Sequence, residues 1–565
     1  MIAWKVIKAS GAFVSFLNNR RSLVLVLFRS FSVPIMKRLG LFAVLVGLLV
    51  PTVPAQSQEW KQQAKQLAPI GAPVSNQIQV MAAAGDSLWH GPLLSVYVEE
   101  AERFETAEVD VLERDNVVFS LAAQNDARNA QVWAGLAFDT GSGPGTNGFL
   151  VSTDGGRSFA RRSPQLDDPA DTTVAYGASM LSADAVTRQA GSSPQDLALS
   201  PDGDTTWVAG GRSGLRWTVD QGQTWVRAVL PPDTSRAIEP GTGYDFRVGP
   251  RLEDGSGHLN HIVYSVLVDE TGTVWAGTVA GLNRSRSGTQ TAAGDRGWRR
   301  YTARDSQRSV TGDFVVALTE QPRPRGRNPV WMATWAAQQG GGRLQRFGVS
   351  VTTDGGTTFR QALVGERIFD IAARQDRVYA AGSSGLFVSD DQGKTWRSVA
   401  SFPLQSDEKT LPASVTPRTV AITDAALWVG TNEGLLRLDR GAEPALVTGR
   451  PAWQLFRAEV PVNPEEPTEQ VPDVSTYAYP NPFVPSRDQL VRIAYELSAP
   501  QTVEVNIYDF SMNRVRTLTA QKPAGQQETV WDGTDAQGLR VPTGTYFYTV
   551  QLDNRTVDGK ILVAN

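Results

Sequence analysis

Ser152-Thr-Asp-Gly-Gly-Arg-Ser-Phe159 is an octet whose pattern recurs three more times along this chain. The other copies start at Thr218, Thr352 and Ser389, and all share Ser/Thr, Asp, Gly, Ser/Thr and an aromatic residue at fixed spacing. This pattern is typical of a β-hairpin, because Asp accepts backbone N–H groups in the turn and Gly adopts a positive φ angle. We therefore expect structural turns, and no catalytic residues, at Asp154, Gly156, Asp220, Gly222, Asp354, Gly356, Asp391 and Gly393.

A second pattern, an aromatic residue closely followed by a small residue, usually glycine, lies upstream of these octets. It occurs at Trp133, Trp207, Trp275, Trp331, Tyr379 and Trp428. Several copies continue into a Gly-Leu pair, so each unit predicts four short antiparallel strands, which is the size of a propeller blade. The units fall near 114–165, 190–233, 260–303, 312–364, 366–402 and 415–458, with a divergent unit at 80–110. The sequence thus predicts an all-β protein with a propeller of about seven blades; six and eight blades stay as alternatives.

The octets resemble the Asp-box, or bacterial neuraminidase repeat, of sialidases, sortilin-like receptor ectodomains and photosystem assembly factors. The stretches Trp275–Leu282 and Trp428–Leu435 resemble the repeats of two-component-regulator sensor propellers. This resemblance covers about residues 80–460 and implies that the aspartates form turns on the outer rim of the blades. We also expect a strand from one end of the propeller to complete a blade begun at the other end, because such closure removes exposed strand edges.

Composition excludes several classes of function. The 565 residues include 54 Lys and Arg against 58 Asp and Glu, a net charge of −4 that gives no basic surface for nucleic acid. Cysteine is absent, which excludes disulfides, thiol catalysis, zinc–thiolate sites and iron–sulfur clusters, and only 3 histidines are present. We therefore expect no cofactor and no metal site. The 52 glycines and 15 tryptophans instead suit repeated β-structure.

The N-terminal region has the pattern of an export signal. Met36-Lys-Arg precedes the apolar run from Leu39 to Val50, and Ala55 supplies a small residue at the expected cleavage point. The apolar run is shorter than the roughly 20 residues that cross a bilayer. We interpret residues 1–55 as an N-terminal extension plus signal peptide, with Met36 as the true start and 56–79 as a lead-in segment. An uncleaved membrane anchor is the alternative.

A separate module ends the chain. Residues 459–476 are rich in Pro and Glu, which is linker composition, and they separate the propeller at 80–458 from residues 477–565. The strands predicted at Val491–Leu497 and Thr502–Tyr508 alternate apolar and polar residues with period two. This module is predicted to be a small Ig-like β-sandwich of about seven strands.

The module contains, in this order, Tyr479-Pro-Asn-Pro-Phe483, Trp531-Asp-Gly533, Gly544 and Gly559-Lys560. This series of motifs resembles the type A C-terminal sorting domain of the type IX secretion system. That domain shares its fold with the Ig-like domain of flagellar hook-capping proteins. One departure is Ser511-Met-Asn513, which replaces a glycine usually found after the Tyr-Asp strand. The resemblance implies delivery by the type IX machinery to the cell surface, the outer membrane or the medium; a passive Ig-like spacer and a periplasmic location are the alternatives. The matching residues are Tyr479, Pro480, Asn481, Pro482, Phe483, Trp531, Asp532, Gly533, Gly544, Gly559 and Lys560.

Sialidase activity is the obvious enzymatic alternative for an Asp-box propeller. That chemistry needs three clustered arginines, a Tyr–Glu nucleophile pair and an acidic Asp. The family's first arginine motif is matched only by Phe246-Arg-Val-Gly-Pro250, which lies in mid-chain with an inserted glycine. His258 and His261 are interpreted as loop and strand residues rather than metal ligands. We therefore expect no enzyme.

The resulting hypothesis is an exported, non-enzymatic propeller that acts as a scaffold or binding protein. Its ligand is an unidentified polysaccharide, peptide or protein, and the membrane is contacted only through the signal peptide or surface anchoring. Binding is expected in the longest loops, around Asp139–Gly148, Asp167–Ser193, Pro231–Asn260 and Gln338–Leu344. A sialidase-type glycosidase and an envelope assembly factor remain the alternative functions.

Overall fold

A computed structural model describes residues 67–564, apart from 71, 74, 108–115, 126–129, 252–254, 287–294, 304–307, 338–344, 406–410, 412–414, 459–474, 480, 486–489 and 553–554. The predicted signal peptide and nearly all of the predicted linker fall outside the described residues. The described part of the chain is all-β, built from many small antiparallel sheets.

Seven consecutive sheets account for the chain up to Phe456, and in each of them four successive strands form an antiparallel meander. Sheet 1 contains β1 (Leu67–Ile70), β2 (Met81–Ala84), β3 (Ser87–His90), β4 (Ser95–Val98) and β5 (Arg103–Ala107), with β1 added beside β5. Sheet 2 contains β6 (Val117–Asn125), β7 (Ala130–Asp139), β8 (Pro144–Ser152) and β9 (Ala160–Arg162). A separate hairpin of β10 (Thr173–Tyr176) and β11 (Ser179–Ser182) follows.

The next two sheets extend to Tyr301. Sheet 3 contains β12 (Asp196–Leu199), β13 (Thr206–Ala209), β14 (Leu215–Thr218) and β15 (Val226–Arg227). Sheet 4 contains β16 (Ala237–Ile238), β17 (Val263–Val268), β18 (Val274–Thr278), β19 (Gly281–Ser285) and β20 (Trp298–Tyr301), with β16 added beside β20.

The last three sheets of the series are plain four-stranded meanders. Sheet 5 contains β21 (Phe314–Glu320), β22 (Val330–Trp335), β23 (Gly348–Thr352) and β24 (Arg360–Ala362). Sheet 6 contains β25 (Ile368–Arg374), β26 (Arg377–Gly382), β27 (Gly385–Ser389) and β28 (Arg397–Val399). Sheet 7 contains β29 (Pro417–Ile422), β30 (Ala426–Thr431), β31 (Gly434–Asp439) and β32 (Gln454–Phe456).

Helices are few and short in the described residues. Those described over their full length are one α-helix, α1 (Ala445–Thr448), and 3-10 turns at Glu99–Ala101, Leu259–His261 and Arg440–Ala442. Among the described residues, no helix has the length and hydropathy needed to cross a membrane.

The seven sheets are arranged as a ring around their first meander strands. The strands β2, β6, β12, β17, β21, β25 and β29 each contact the next one in this order, and β29 in turn contacts β2. The second strands carry the large buried aromatic residues between the sheets, because β-branched and aromatic side chains fill the space between pleated surfaces. Trp133, Trp275, Trp331 and Trp428 are completely or almost completely buried.

The ring closes in a way that differs from the expectation of an exchanged strand. Within the described ranges, sheet 1 contains only N-terminal strands and sheet 7 only strands from residues 417–456. Side-chain packing replaces the exchange: Tyr97 of sheet 1 lies 4.9 Å from Trp428 and 5.4 Å from Phe456 of sheet 7, measured between ring centroids. The physical reason is that a large aromatic cluster, together with backbone hydrogen bonds from the segment before β2, holds the joint without an exchanged strand.

The C-terminal module is a sandwich of two sheets. One contains β33 (Thr476–Tyr479), β34 (Val491–Leu497) and β37 (Gly525–Trp531) in the order β33-β34-β37. The other contains β35 (Gln501–Tyr508), β36 (Arg514–Lys522), β38 (Gly544–Leu552) and β39 (Arg555–Val563) in the order β36-β35-β38-β39. Their facing residues form a single core that includes Ile493, Val505, Trp531 and Tyr548.

Candidate functional site

The Asp-box octets have a shared hydrogen-bond geometry, seen first at Asp154. Ser152 Oγ donates to Asp154 Oδ1 at 2.7 Å, and the Gly156 N–H donates to Ser152 Oγ at 2.8 Å. The Ser158 N–H donates to Asp154 Oδ1 at 3.0 Å, while Ser158 Oγ donates to Oδ2 at 2.5 Å. One carboxylate therefore joins both ends of the turn.

The same contacts recur in the other three octets. The third-position carboxylate accepts a hydrogen bond from the backbone N–H of the seventh residue at 2.9 Å in each of them. These hydrogen bonds outweigh the opposing effect of burial and lower the pKa of Asp154, Asp220 and Asp354. The backbone hydrogen bond from Thr395 makes the largest contribution at Asp391, whose pKa falls to about 2.

Each octet also contacts the sheet that precedes it. The Phe159 ring lies edge-on to Trp89 of sheet 1 at 6.0 Å, and a Cβ built on Gly156 would lie 2.2 Å from Trp89 Cη2. The equivalent ring pairs are Trp225–Trp133 at 6.2 Å, Phe359–Tyr301 at 5.1 Å and Trp396–Trp331 at 6.0 Å. We call this unit, an octet bound to the aromatic residue of the preceding sheet, a clasp.

Sheet 7 lacks an octet and makes the equivalent contact with different chemistry. Its third and fourth strands are joined through the turns at 440–448, where Glu443 is buried. Glu443 Oε2 accepts from Tyr379 Oη at 3.0 Å and from Arg377 Nη1 at 2.8 Å, both on sheet 6. Nothing in the local sequence pattern indicated this contact, because Glu443 lies in no recognisable repeat.

Most residues of the predicted sorting motif pack the sandwich itself. Phe483 is completely buried near Trp531, and its N–H donates to Leu562 O at 2.8 Å. Asn481 accepts from the Leu562 N–H at 2.8 Å and donates through Nδ2 to Lys560 O at 3.0 Å. These contacts fasten the first segment of the sandwich to its last strand.

The other motif residues lie nearby or in turns. Gly533 has φ +74°, and a Cβ there would lie 2.8 Å from Phe483 Cε1. Gly559 lies against Tyr548, Asp532 accepts from the Thr534 N–H at 3.0 Å, and Gly544 begins β38. Pro482 follows Asn481, Tyr479 is buried, and Pro480 lies outside the described residues.

The two neighbouring histidines are held by backbone groups. His261 is buried, with Nε2 2.9 Å from Leu230 O and Nδ1 3.1 Å from Gly249 O, and burial lowers its pKa to about 4. His258 precedes the 3-10 turn, and its Nδ1 accepts from the Asp233 N–H at 3.3 Å. Among the described residues, no group of three or more His, Asp or Glu side chains could hold a metal ion.

Two of the long loops expected to bind ligands pack on each other instead. The Tyr244 N–H donates to Ser179 Oγ at 2.9 Å, and the Asp184 N–H donates to Val248 O at 2.8 Å. These contacts join the loops Asp167–Ser193 and Pro231–Asn260 beside sheet 4. The loop Gln338–Leu344 lies outside the described residues.

A surface separate from these loops lies at the end of the ring where the innermost strands of sheets 4 to 7 begin. The side chains of Tyr264, Phe314, Trp335 and Phe369 form an aromatic arc, with successive ring centroids 4.8, 5.6 and 6.1 Å apart. Arg367 lies 4.3 Å above the Trp335 ring, and Arg418 lies 4.9 Å from the Phe369 ring. Four separate sheets thus contribute to one surface.

Partial burial against the aromatic rings lowers the pKa of both arginines, and the charge of Arg367 lowers the pKa of Arg418 further. Within the described residues, neither guanidinium forms a salt bridge, and Arg367 is exposed to solvent. We call Arg367 and Arg418 the arginine pair. Its cation–π contacts hold both positive charges at the edge of the arc.

The acidic residues beside the arc have structural partners. Asp370 Oδ2 accepts from Thr419 Oγ1 at 2.6 Å and from the Val420 N–H at 3.0 Å, which joins β25 to β29. Asp313 accepts from the Ala303 N–H at 2.5 Å and from Gln345 Nε2 at 2.9 Å. These two carboxylates therefore stabilise the ring at this surface.

Two sequence families match parts of this chain. The family described as FlgD Ig-like domain matches residues 486–556, and the BNR/Asp-box repeat matches residues 387–398. No curated protein matches the chain.

Solved structures with low sequence identity also resemble the chain. One is described as PorZ, an essential bacterial surface component of the type-IX secretion system of Porphyromonas gingivalis; it is 13% identical, with 86% of this chain and 75% of that chain covered and a TM-score of 0.34. Another is the GH74 xyloglucanase from Xanthomonas campestris, 13% identical, with 89% and 74% covered and a TM-score of 0.47.

Proposed function

We propose that this protein is an exported, non-enzymatic propeller that binds an anionic ligand, an acidic polysaccharide, at the aromatic arc. The arginine pair carries this proposal: two cations lie against aromatic rings, and neither has a carboxylate partner among the described residues. Guanidinium groups bind carboxylates through paired hydrogen bonds, and partial desolvation strengthens such contacts.

The domain organisation belongs to the same proposal. The ring of seven meander sheets supports a seven-bladed propeller at 80–458, and the seven strands β33–β39 support an Ig-like domain at 477–565. The octets act as structural turns, since their carboxylates bind the backbone of their own turn.

Delivery by the type IX machinery through the C-terminal domain is the proposed route to the cell surface. The matching motif residues support this route only by resemblance, because most of them also pack the sandwich. The test is protease accessibility of the full-length protein on intact cells, compared with a chain that lacks residues 477–565. Surface exposure of the full chain and periplasmic retention of the shortened chain are expected; equal surface exposure would reject the sorting role.

Binding is tested with polygalacturonate, a carboxylated polysaccharide, by calorimetry on the purified full chain. We expect the variant Arg367→Gln/Arg418→Gln to bind at least about tenfold more weakly, because each charge-assisted hydrogen bond contributes roughly 1.5–3 kcal/mol. The variant Arg325→Gln is the matched control, since this exposed arginine lies in the loop after β21, at the opposite end of that strand from the arc.

Neutral dextran serves as the control polymer. Equal affinity for dextran and polygalacturonate, or unchanged affinity in the double variant, would refute the proposed anion binding. Release of reducing sugar from polygalacturonate during the titration would instead refute the non-enzymatic part of the proposal.

A further inference from the structure

The joint between sheets 1 and 7 is held by backbone hydrogen bonds from one short segment. The Ile78 N–H donates to Thr431 O at 2.9 Å, and the Gly434 N–H donates to Asn76 O at 2.7 Å. Asn76 Oδ1 also accepts from the Ala458 N–H at 2.8 Å. The segment before β2 therefore joins the β30–β31 turn to the chain that follows β32, and we call this place the seam.

Two charged side chains are buried at the seam. Glu433 lies in the β30–β31 turn, Arg457 follows β32, and both are less than 5% exposed. Arg457 Nε donates to Glu433 O at 3.1 Å, so the two residues also contact each other. Burying an unpaired charge is strongly unfavourable, so these two groups need partners.

The C-terminal sandwich supplies the partners. Arg457 Nη1 lies 2.5 Å from Glu528 Oε1 on β37, and Glu433 forms a salt bridge with Arg492 on β34. Arg492 Nε lies 3.7 Å from Glu528 Oε2, so the four side chains form one neutral network. All four are at most 9% exposed.

Tyr479, the first residue of the predicted sorting motif, extends this network. Its hydroxyl donates to Glu528 Oε2 at 3.0 Å, and burial, followed by the Glu528 charge, raises its pKa. Burial also raises the pKa of Glu433, against the opposing effect of Arg492 and Arg457. The sandwich is therefore attached to the seam by its own buried polar residues.

We propose that the C-terminal sandwich is the latch that closes the propeller ring, and that it stays bound as a permanent part of the folded protein. The ring has no exchanged strand among its described sheets, and the joint that replaces it contains two buried charges that form salt bridges with the sandwich. Loss of the sandwich removes the salt bridges of Glu433 to Arg492 and of Arg457 to Glu528, which loosens the seam.

Hydrogen exchange of the full chain measures how strongly the sandwich stabilises the seam. In Arg492→Gln and in Glu528→Gln, we expect the seam amides, including those of Ile78 and Gly434, to exchange at least about tenfold faster than in the wild type, because a broken buried pair destabilises its surroundings. The amide of Gly222, in the sheet 3 octet, should keep its protection.

The matched controls are Glu496→Gln and Arg555→Gln, which change the same residue types at exposed positions of the sandwich. Both should leave exchange at the seam unchanged. Unchanged seam protection in Arg492→Gln and Glu528→Gln would overturn the proposal, as would equally fast exchange in the two controls.

A second experiment keeps the wild-type network intact. A protease site inserted within residues 461–470 is cut after the full chain has folded, and the products are separated by size-exclusion chromatography. Co-elution of the sandwich with the propeller supports the latch, whereas their separation at micromolar concentration rejects it. Neither result depends on ligand binding at the aromatic arc, so this proposal and the proposed ligand binding fail independently.

Discussion

Gly156 and its counterparts Gly222, Gly356 and Gly393 occupy positions that exclude a side chain for two reasons. Each has a positive φ angle, which disfavours residues with a Cβ, and each lies against an aromatic residue of the preceding sheet. The local pattern of the octet identified these glycines, because the turn geometry depends on eight consecutive residues. It did not identify Trp89, Trp133, Tyr301 and Trp331 as their partners, since those residues belong to other sheets.

Substitutions at Gly155 and Gly156 distinguish the effect of backbone strain from the effect of the contact with the preceding sheet. Both have positive φ angles, but a Cβ at Gly155 would meet only Ala130 Cβ at 3.7 Å, whereas one at Gly156 would lie 2.2 Å from Trp89 Cη2. We expect Gly155→Ala to destabilise the protein by about 1 kcal/mol through backbone strain alone. Gly156→Ala should add about 1–3 kcal/mol more from overpacking.

Chemical unfolding followed by tryptophan fluorescence measures both variants. Equal shifts of the unfolding midpoint for the two substitutions would show that the contact with Trp89 contributes nothing to stability.

Met512 lies in the segment Ser511–Asn513, which replaces the glycine usual in the sorting-domain pattern, and the structure explains how the turn still forms. It has φ +63° in the exposed turn between β35 and β36, a conformation that favours glycine. Asp509 supports the turn, because its Oδ1 accepts from the Asn513 N–H at 2.8 Å. The replacement of the usual glycine therefore leaves the turn conformation in place.

At the scale of the element, the octet is a turn held together by one ionised carboxylate. The depressed pKa of Asp391, about 2, means that this carboxylate adds stability at pH values above the ordinary Asp pKa of about 4. That contribution is lost as the pH falls from about 4 through about 2. Wild-type stability should therefore decrease across this interval.

Asp391→Asn tests this dependence against Asp390→Asn, the neighbouring and exposed aspartate. Asp391→Asn should lower the urea midpoint at pH 7, and its difference from the wild type should shrink as the pH approaches 2. Asp390→Asn should follow the wild-type profile. A constant difference between Asp391→Asn and the wild type over pH 2–7 would contradict this explanation.

Sequence reasoning was more successful for elements than for their assembly. Strands in each unit followed from runs of β-prone residues, and Trp298-Arg-Arg-Tyr301 forms β20 although its unit lacks an octet. The aromatic arc was missed, because its residues come from three different sheets and no local motif marks them. The long loops were expected to bind ligands because of their length, but two of them pack against each other beside sheet 4.

At the scale of the whole molecule, aromatic packing closes the ring where an exchanged strand was expected. Tyr97 lies at the centre of this packing, 4.9 Å from both Phe104 and Trp428. We expect Tyr97→Ala to destabilise the protein by about 3–5 kcal/mol, as for other large-to-small changes of buried aromatic residues. Tyr97→Phe keeps the ring contacts and should change stability by less than about 1 kcal/mol.

Hydrogen exchange at the seam should accelerate in Tyr97→Ala and stay unchanged in Tyr97→Phe. An equal effect of the two substitutions would indicate that the hydroxyl, and not the ring, holds the two ends of the propeller together.

The clasps have a direction, and this direction sets an order of events for a chain that emerges N-terminus first. Each octet of sheets 2, 3, 5 and 6 binds an aromatic residue of the sheet that precedes it in sequence. A newly emerged sheet would therefore find its docking partner already present, and we expect assembly to proceed stepwise as the chain lengthens. The last step differs from the others, because sheet 7 must contact sheet 1, the sheet that emerges first, before the ring is complete.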